Sequence, residues 1–122
     1  MSAAAGSRVL VVEPHFVLRR TIVLSAARLG LAHLEEASAV DIAERMVQGR
    51  TYDTVVLALD AAPPVDIERF LARCQPARVI GIVAAGQRPE AGRLQRHGLH
   101  DLLDKPARVK DLLGLISIAS RA

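Results

Sequence analysis

The chain has 122 residues, the size of one domain, and a hydrophobic share of 51% is ample for one buried core. With Phe16, Tyr52 and Phe70 as its only aromatics, that core must be built from Leu, Val, Ile and Ala. A formal net charge of +3 with acids and bases interspersed argues against a nucleic-acid partner, the lone Cys74 excludes an internal disulfide or a cysteine-rich zinc site, and no apolar run approaches the ~20 residues that cross a bilayer.

Met1–Ser7 is small and polar and reads as a flexible tail. It has no basic start followed by an apolar stretch, so it is not a signal peptide, and a cytoplasmic setting is expected. The domain proper is expected over residues 8–120. Val9–Val12 is a β-branched run closed by Glu13-Pro14 and reads as a buried strand. Phe16–Leu29 carries apolar residues at helical spacing, with Arg19, Arg20 and Arg28 placed for solvent and Gly30 as the stop. Leu31–Glu36 is a weaker strand. Ser38 with Asp41 resembles a capping box that opens a helix over about Ala39–Val47, ending near Gly49. Thr54–Leu59 is a nearly continuous apolar strand, broken by Pro63 and Pro64. A helix over Val65–Cys74, a strand over Arg78–Val83, a short polar helix over Gln87–His97, a strand over Asp101–Asp104 and a helix over Val109–Ile118 complete the chain.

Strict β-α alternation with short loops implies parallel strands joined by right-handed crossovers. The expected fold is a doubly wound (βα)5 domain with a five-stranded parallel sheet and helices on both faces, of the flavodoxin-like kind. In such sheets ligands bind beyond the carboxyl ends of the strands. The residues there are Glu13, Pro14 and His15 after the first strand, Ala58, Leu59 and Asp60 at the third, Val83 and Ala84 at the fourth, and Asp104, Lys105 and Pro106 after the fifth.

Several stretches carry a resemblance. Val9-Leu-Val-Val-Glu-Pro-His15, Leu18-Arg-Arg20, Leu29-Gly30, Glu36-Ala-Ser38, Tyr52-Asp-Thr-Val-Val-Leu57 and, above all, Gly98-Leu-His-Asp-Leu-Leu-Asp-Lys-Pro106 resemble bacterial response-regulator receiver domains, chemotaxis-regulator-like, over about Arg8–Ile118. The resemblance implies two-component phosphorelay signal transduction. In a working receiver, two acids after the first strand and an Asp ending the third hold Mg²⁺, and that Asp takes the phosphoryl group. A Thr or Ser after the fourth strand and a Lys bind the phosphoryl oxygens, and an aromatic residue in the fifth strand switches. The Lys-Pro bond is normally cis.

Carried over residue by residue, the set is broken. Glu13 keeps the first acidic position, but Pro14 stands at the second and cannot ligate. Ala58 stands at the phosphoacceptor and has no nucleophile. Val83 takes the Thr/Ser position without a hydroxyl, and Leu102 the switch position without a phenol. Lys105 and Pro106 are retained. No metal is expected, since Glu13 alone is a weak Mg²⁺ ligand. Mg²⁺ would matter only if the site worked.

Asp60, two residues beyond Ala58, could act as a displaced acceptor or simply begin the loop. Lys105 could bind an anion, but pairing with Glu13 or Asp60 is the favoured role. His15 reads as a solvated loop residue rather than a base, and His33, His97 and His100 have no ligand spacing. Cys74 reads as a packing residue. Arg88, Arg93 and Arg96 read as a solvated helix face, with an acidic partner or a nucleotide phosphate as the alternatives. Leu99, Leu102 and Leu103 could add apolar area to a binding face.

The expected function is that of an atypical single-domain response regulator, a pseudo-receiver and not an enzyme. It would act by phosphorylation-independent contacts with a protein partner such as a histidine kinase or another regulator, or with its own copy through the fourth-helix to fifth-helix face. The alternatives are a functional receiver using Asp60 and a nucleotide or other small-ligand module. The latter is disfavoured because Glu13-Pro-His-Phe-Val17 lacks the Gly, Ser or Thr of a phosphate cradle.

Overall fold

Three of the five strands form where β-branched residues cluster, and most helices bury apolar residues recurring at every third or fourth position. The structure, a computed structural model, describes residues 7–30 and 33–121. The elements in order are β1 (Arg8–Val12), α1 (Phe16–Arg28), β2 (His33–Ala37), α2 (Val40–Gly49), β3 (Thr54–Ala58), α3 (Pro64–Cys74), β4 (Arg78–Val83), α4 (Arg88–Leu94), β5 (Asp101–Asp104) and α5 (Val109–Arg121). All strand pairs are parallel, in the order β2-β1-β3-β4-β5. The expected doubly wound five-stranded sheet is therefore present.

The continuous apolar runs are buried on both sides, as parallel strands require. Val9 and Val11 of β1 face one core, with Ile22 and Ala26 of α1 and Leu112 and Ile116 of α5. Leu10 and Val12 face the other, with Val40 and Ala43 of α2, Phe70 and Leu71 of α3, and Ala91 and Leu94 of α4. Alternation of side chains along each strand produces this division. β1 and β3 lie side by side while the chain winds outward from them in opposite directions, so the crevice of such a sheet opens at their carboxyl ends.

Several local expectations are corrected. The Ser38–Asp41 capping box does not form. Ala39 is the N-cap of α2 without a side-chain cap, and the Asp41 carboxylate instead accepts the neighbouring Ile42 amide at 3.0 Å. Burial of Val40 and Ala43 sets the start of that helix. Arg19 and Arg20 do not project freely into solvent, because both guanidinium groups pair with Glu36 of β2. The exposed positions of α1 include Val17 and Leu24. β3 ends at Ala58, and Leu59–Ala61 form a 3₁₀ turn. Pro64 opens α3, where a missing N–H costs nothing. α4 stops at Leu94 and a 3₁₀ turn over Gln95–His97 follows, closed by Gly98 at φ +106°.

Residues 1–6 of the expected tail, and Leu31 and Ala32 of the second expected strand, lie outside the described residues. Ser7, assigned to that tail, is buried, and its carbonyl accepts the His33 amide at 2.9 Å. Among the described residues no helix is long and apolar enough to cross a membrane.

Candidate functional site

The strand tips lie level. Val12 is in register with Leu57 and Ala37, Ala58 with Ile82, and Val83 with Asp104. Glu13 and Lys105, one residue past their strands, and Asp60, two past Ala58, therefore meet beyond the carboxyl ends of the strands.

Glu13 is completely buried, which is unusual for a carboxylate. Its amide donates to the Ala37 carbonyl at 3.1 Å, and its own carbonyl accepts from the Arg19 guanidinium at 2.9 Å. Oε2 accepts the backbone amide of His15 at 3.1 Å and lies 2.9 Å from the His15 ring Nδ1. Oε1 lies 3.0 Å from the Lys105 ammonium. That approach is ionic, outside hydrogen-bond geometry, so Oε1 has no hydrogen-bond donor.

Lys105 is the hub. Its Nζ also lies 3.1 Å from Asp60 Oδ2, 3.4 Å from Asp60 Oδ1 and 3.1 Å from His15 Nδ1. Two carboxylates thus hold one ammonium, so the pairing with Glu13 or with Asp60 proves to be both. The Lys105-Pro106 peptide is cis, and the Lys105 amide donates to the Val83 carbonyl at 2.7 Å.

His15 carries a conflict. An ammonium can only donate a hydrogen bond and an ionised carboxylate can only accept one. Nδ1 contacts both Lys105 Nζ and Glu13 Oε2, and its single site satisfies one of them at a time. The ring, 63% exposed, stands at the pocket mouth rather than in free solvent.

The other sequence-chosen positions are placed as follows. Ala58 is fully buried at the end of β3. Pro14 is exposed beside Glu13. Val83 belongs to the core on the α2–α4 face. Leu102 packs against the same core above Gly81, where an added Cβ would stand 3.3 Å from a Leu102 methyl and 2.8 Å from one of Leu99. The open pocket above the ion cluster, about 500 Å³, has apolar walls from Leu18, Ala84, Ala85, Pro106 and Ala107.

One positioning residue escaped sequence reasoning. Gln87 accepts the Ala84 amide at 3.0 Å and donates to the Leu59 carbonyl at 3.1 Å. It ties the tip of β4 to the turn that carries Asp60, and it occupies a strand-tip N–H that an anion would otherwise use. Sequence separation hides such a link.

Elsewhere, Arg88 pairs with Asp104, and Arg93 with Glu68 and Glu90. Arg96 is exposed without a partner among the described residues. Leu99 is core, and Leu103 packs against the opposite core. Burial pushes the Cys74 thiol up to about 12, which fits a packing residue.

The amino-acid sequence matches no protein-family model and no curated protein. Solved structures do match. The receiver domain of a Francisella response regulator superposes with a TM-score of 0.80 at 17% identity, over 94% of this chain and 97% of that one. A CheY-like response regulator receiver domain protein from Methanospirillum hungatei gives 0.81 at 13% identity, over 94% of each chain. The chain has the response-regulator receiver fold. A third receiver, from Clostridium thermocellum, gives 0.80 at 20% identity, over 93% of this chain and 94% of that one. Within this receiver fold, the residues present do not suit Mg²⁺. That ion wants several oxygen ligands in a near-octahedral shell, and the pocket offers two carboxylates, Glu13 and Asp60, with an ammonium between them.

Proposed function

We propose that the chain is a pseudo-receiver of two-component signalling, a module that works by docking to a protein partner without being phosphorylated. One observation carries this reading. The tip of β3 is a buried alanine, and the lysine that would meet a phosphoryl group is already held by Glu13 and Asp60. An incoming anion would have to displace two carboxylates from the one ammonium of the pocket, and Gln87 already occupies the Ala84 amide. Each loss costs an anion its binding energy, and together they leave no nucleophile at the position the fold provides.

The partner is a histidine kinase, another regulator or a second copy of the chain. The groove between β5 and α5, about 400 Å³ and lined by Leu102, Leu103 and Leu115 with Asp101, Lys110 and Asp111 at its sides, supports docking on the α4–β5–α5 face. Pull-down from native lysate with wild-type chain and with a variant carrying Lys110→Glu and Asp111→Lys, both exposed at the groove, tests this. Loss of the same captured protein from the variant supports the face, and unchanged capture opposes it.

A second reading is favoured by one specific contact. The 3₁₀ turn after β3 brings the Asp60 carboxylate to 3.1 Å from Lys105, so a displaced acceptor stands in the pocket. Under that reading acetyl phosphate labels the wild type and not Asp60→Asn. Under the docking reading neither is labelled, and a beryllofluoride mimic with Mg²⁺ leaves the NMR spectrum unchanged. Under the docking reading, Ala58→Asp combined with Pro14→Asp should restore Mg²⁺ binding, because the surrounding backbone is otherwise that of a receiver. A nucleotide reading would show as thermal stabilisation on adding nucleotides.

A further inference from the structure

We propose that His100 is a pH-sensitive latch on the sheet. Its neutral ring holds the start of β5 to β4, and a proton on that ring releases it. The latch lies at the amino end of β5, away from the strand-tip pocket, and the inference does not depend on the docking reading.

The latch begins where the backbone ladder stops. The register of β4 with β5 opens with Ile80 opposite Asp101. One step earlier the His100 amide donates to the Val79 carbonyl at 2.9 Å. Continued parallel pairing would send the Val79 amide to a carbonyl further back along the neighbouring strand. The chain turns there instead, with Gly98 closing a 3₁₀ turn at φ +106°. The Val79 amide donates to His100 Nδ1 at 3.0 Å, so the imidazole stands where a longer strand would offer a carbonyl.

This contact fixes the state of the ring. A backbone amide can only donate, so Nδ1 must accept and the neutral ring carries its hydrogen on Nε2. In the imidazolium both nitrogens carry hydrogen, and Nδ1–H would face the Val79 N–H. The ring must then turn away. Val79 is fully buried, so its amide loses an acceptor where an unmade bond is costly, whereas His100 is exposed and its ring is open to protons. His97 has the opposite chemistry. It lies 3.3 Å from Glu68, a contact that a proton strengthens.

The charged groups of the adjoining elements do not offset the loss. Arg78 on β4 and Asp101 on β5 pair with each other at 2.9 Å. The end of α3 and the turn before β5 bring the exposed Arg73 and Arg96 and the buried Cys74 thiol. Lys110 and Asp111 of α5 lie along the groove beside Asp101. Among the described residues no acid pairs with the His100 ring. Because β5 supplies Asp101, Leu102 and Leu103 to that groove, the latch sets how firmly its wall is held.

The test is NMR on the isotope-labelled full chain from about pH 8 to about pH 5, the interval over which histidine ordinarily changes charge. Ring carbon shifts of His100 report its own proton uptake. The expected result is a scalar coupling across the N–H···N bond from Val79 to His100 that is present with the neutral ring and vanishes as that ring titrates. Protection of the Val79 amide against exchange, taken relative to the unstructured rate at each pH, should fall about tenfold over the same titration. His100→Asn keeps an acceptor atom at the same place on the side chain and cannot titrate, so its protection should hold throughout. His100→Ala should show the low protection at every pH, and His97→Gln should titrate as wild type does. Absence of the coupling in the neutral protein overturns the latch. So does Val79 protection that ignores protonation of the ring, or a fall that survives in His100→Asn. These readouts involve neither a partner nor a phosphate donor, so either result leaves the docking reading to its own test.

Discussion

Replacing Lys105 with methionine should destabilise the fold far more than an ordinary surface change would. Lys105 Nζ stands 3.0 Å from an oxygen of Glu13, whose side chain is 0% exposed, while the lysine side chain is 17% exposed. At an effective dielectric of ~20, opposite charges at that separation attract by about 5–6 kcal/mol before desolvation is charged against them. Removing one member of a buried pair leaves the other charge uncompensated, at a cost of about 3–5 kcal/mol. Glu13 keeps the His15 amide as a donor, so the expected loss is about 3 kcal/mol, at the lower edge of that range. Glu13→Gln should cost less, about 1–2 kcal/mol, because Lys105 retains Asp60. The double variant should lose at least 1 kcal/mol less than the two singles added together. Urea unfolding followed by far-UV circular dichroism measures all four corners of this cycle, with the Lys105→Met midpoint lowered by roughly 1–2 M. Additive singles, or a Lys105→Met variant as stable as wild type, would refute the claim that the cluster is a coupled ion pair.

Three further outcomes follow from the same structure. Gly98→Ala should cost about 1–2 kcal/mol in the same unfolding assay, since φ is +106° and the Gln75 amide lies against the place a Cβ would take. Burial raises the Cys74 thiol from its ordinary 9.0 to about 12, so the folded chain holds a proton that the unfolded chain releases. Stability from this thiol is complete below pH 9 and is lost as pH rises toward 12, at about 1.4 kcal/mol per pH unit. Tyr52, raised mainly by burial, acts in the same sense, so the signature of Cys74 is a shallower alkaline loss of urea midpoint in Cys74→Ala than in wild type. Gln87→Ala should free the Ala84 amide and loosen the turn around Asp60, visible as faster amide exchange at Ala84 with the global unfolding free energy lowered by no more than about 1 kcal/mol.

Much of the architecture is legible because it rests on local pattern. Val9–Val12, Thr54–Leu59 and Arg78–Val83 are apolar runs suited to a sheet covered on both faces, and they became β1, β3 (ending at Ala58) and β4. The sequence places Ala58, Leu59 and Asp60 at the end of the third strand, and β3 ends at Ala58. The meeting of Glu13, Asp60 and Lys105 followed from topology, since each stands just past a strand end. What pattern could not supply was orientation. The His15 ring turns inward because Glu13 is buried beside it, and Lys105, which shares its Nδ1, is 90 residues away in sequence. Arg19 and Arg20 look solvent-bound by helical spacing, yet β2 carries Glu36 to them. Ser38 has the composition of a cap, but burial of Val40 and Ala43 fixes where α2 begins. Gln87 gave no signal because its two partners lie in different loops.

The most direct test of the whole account is exposure of the purified chain to acetyl phosphate and Mg²⁺, read by intact mass and by amide NMR on the same sample. A pocket whose ammonium is held by two carboxylates and whose strand tip is alanine should show no added phosphoryl group and no shifted resonances. Stoichiometric phosphorylation accompanied by shifts in β5 and α4 would contradict it.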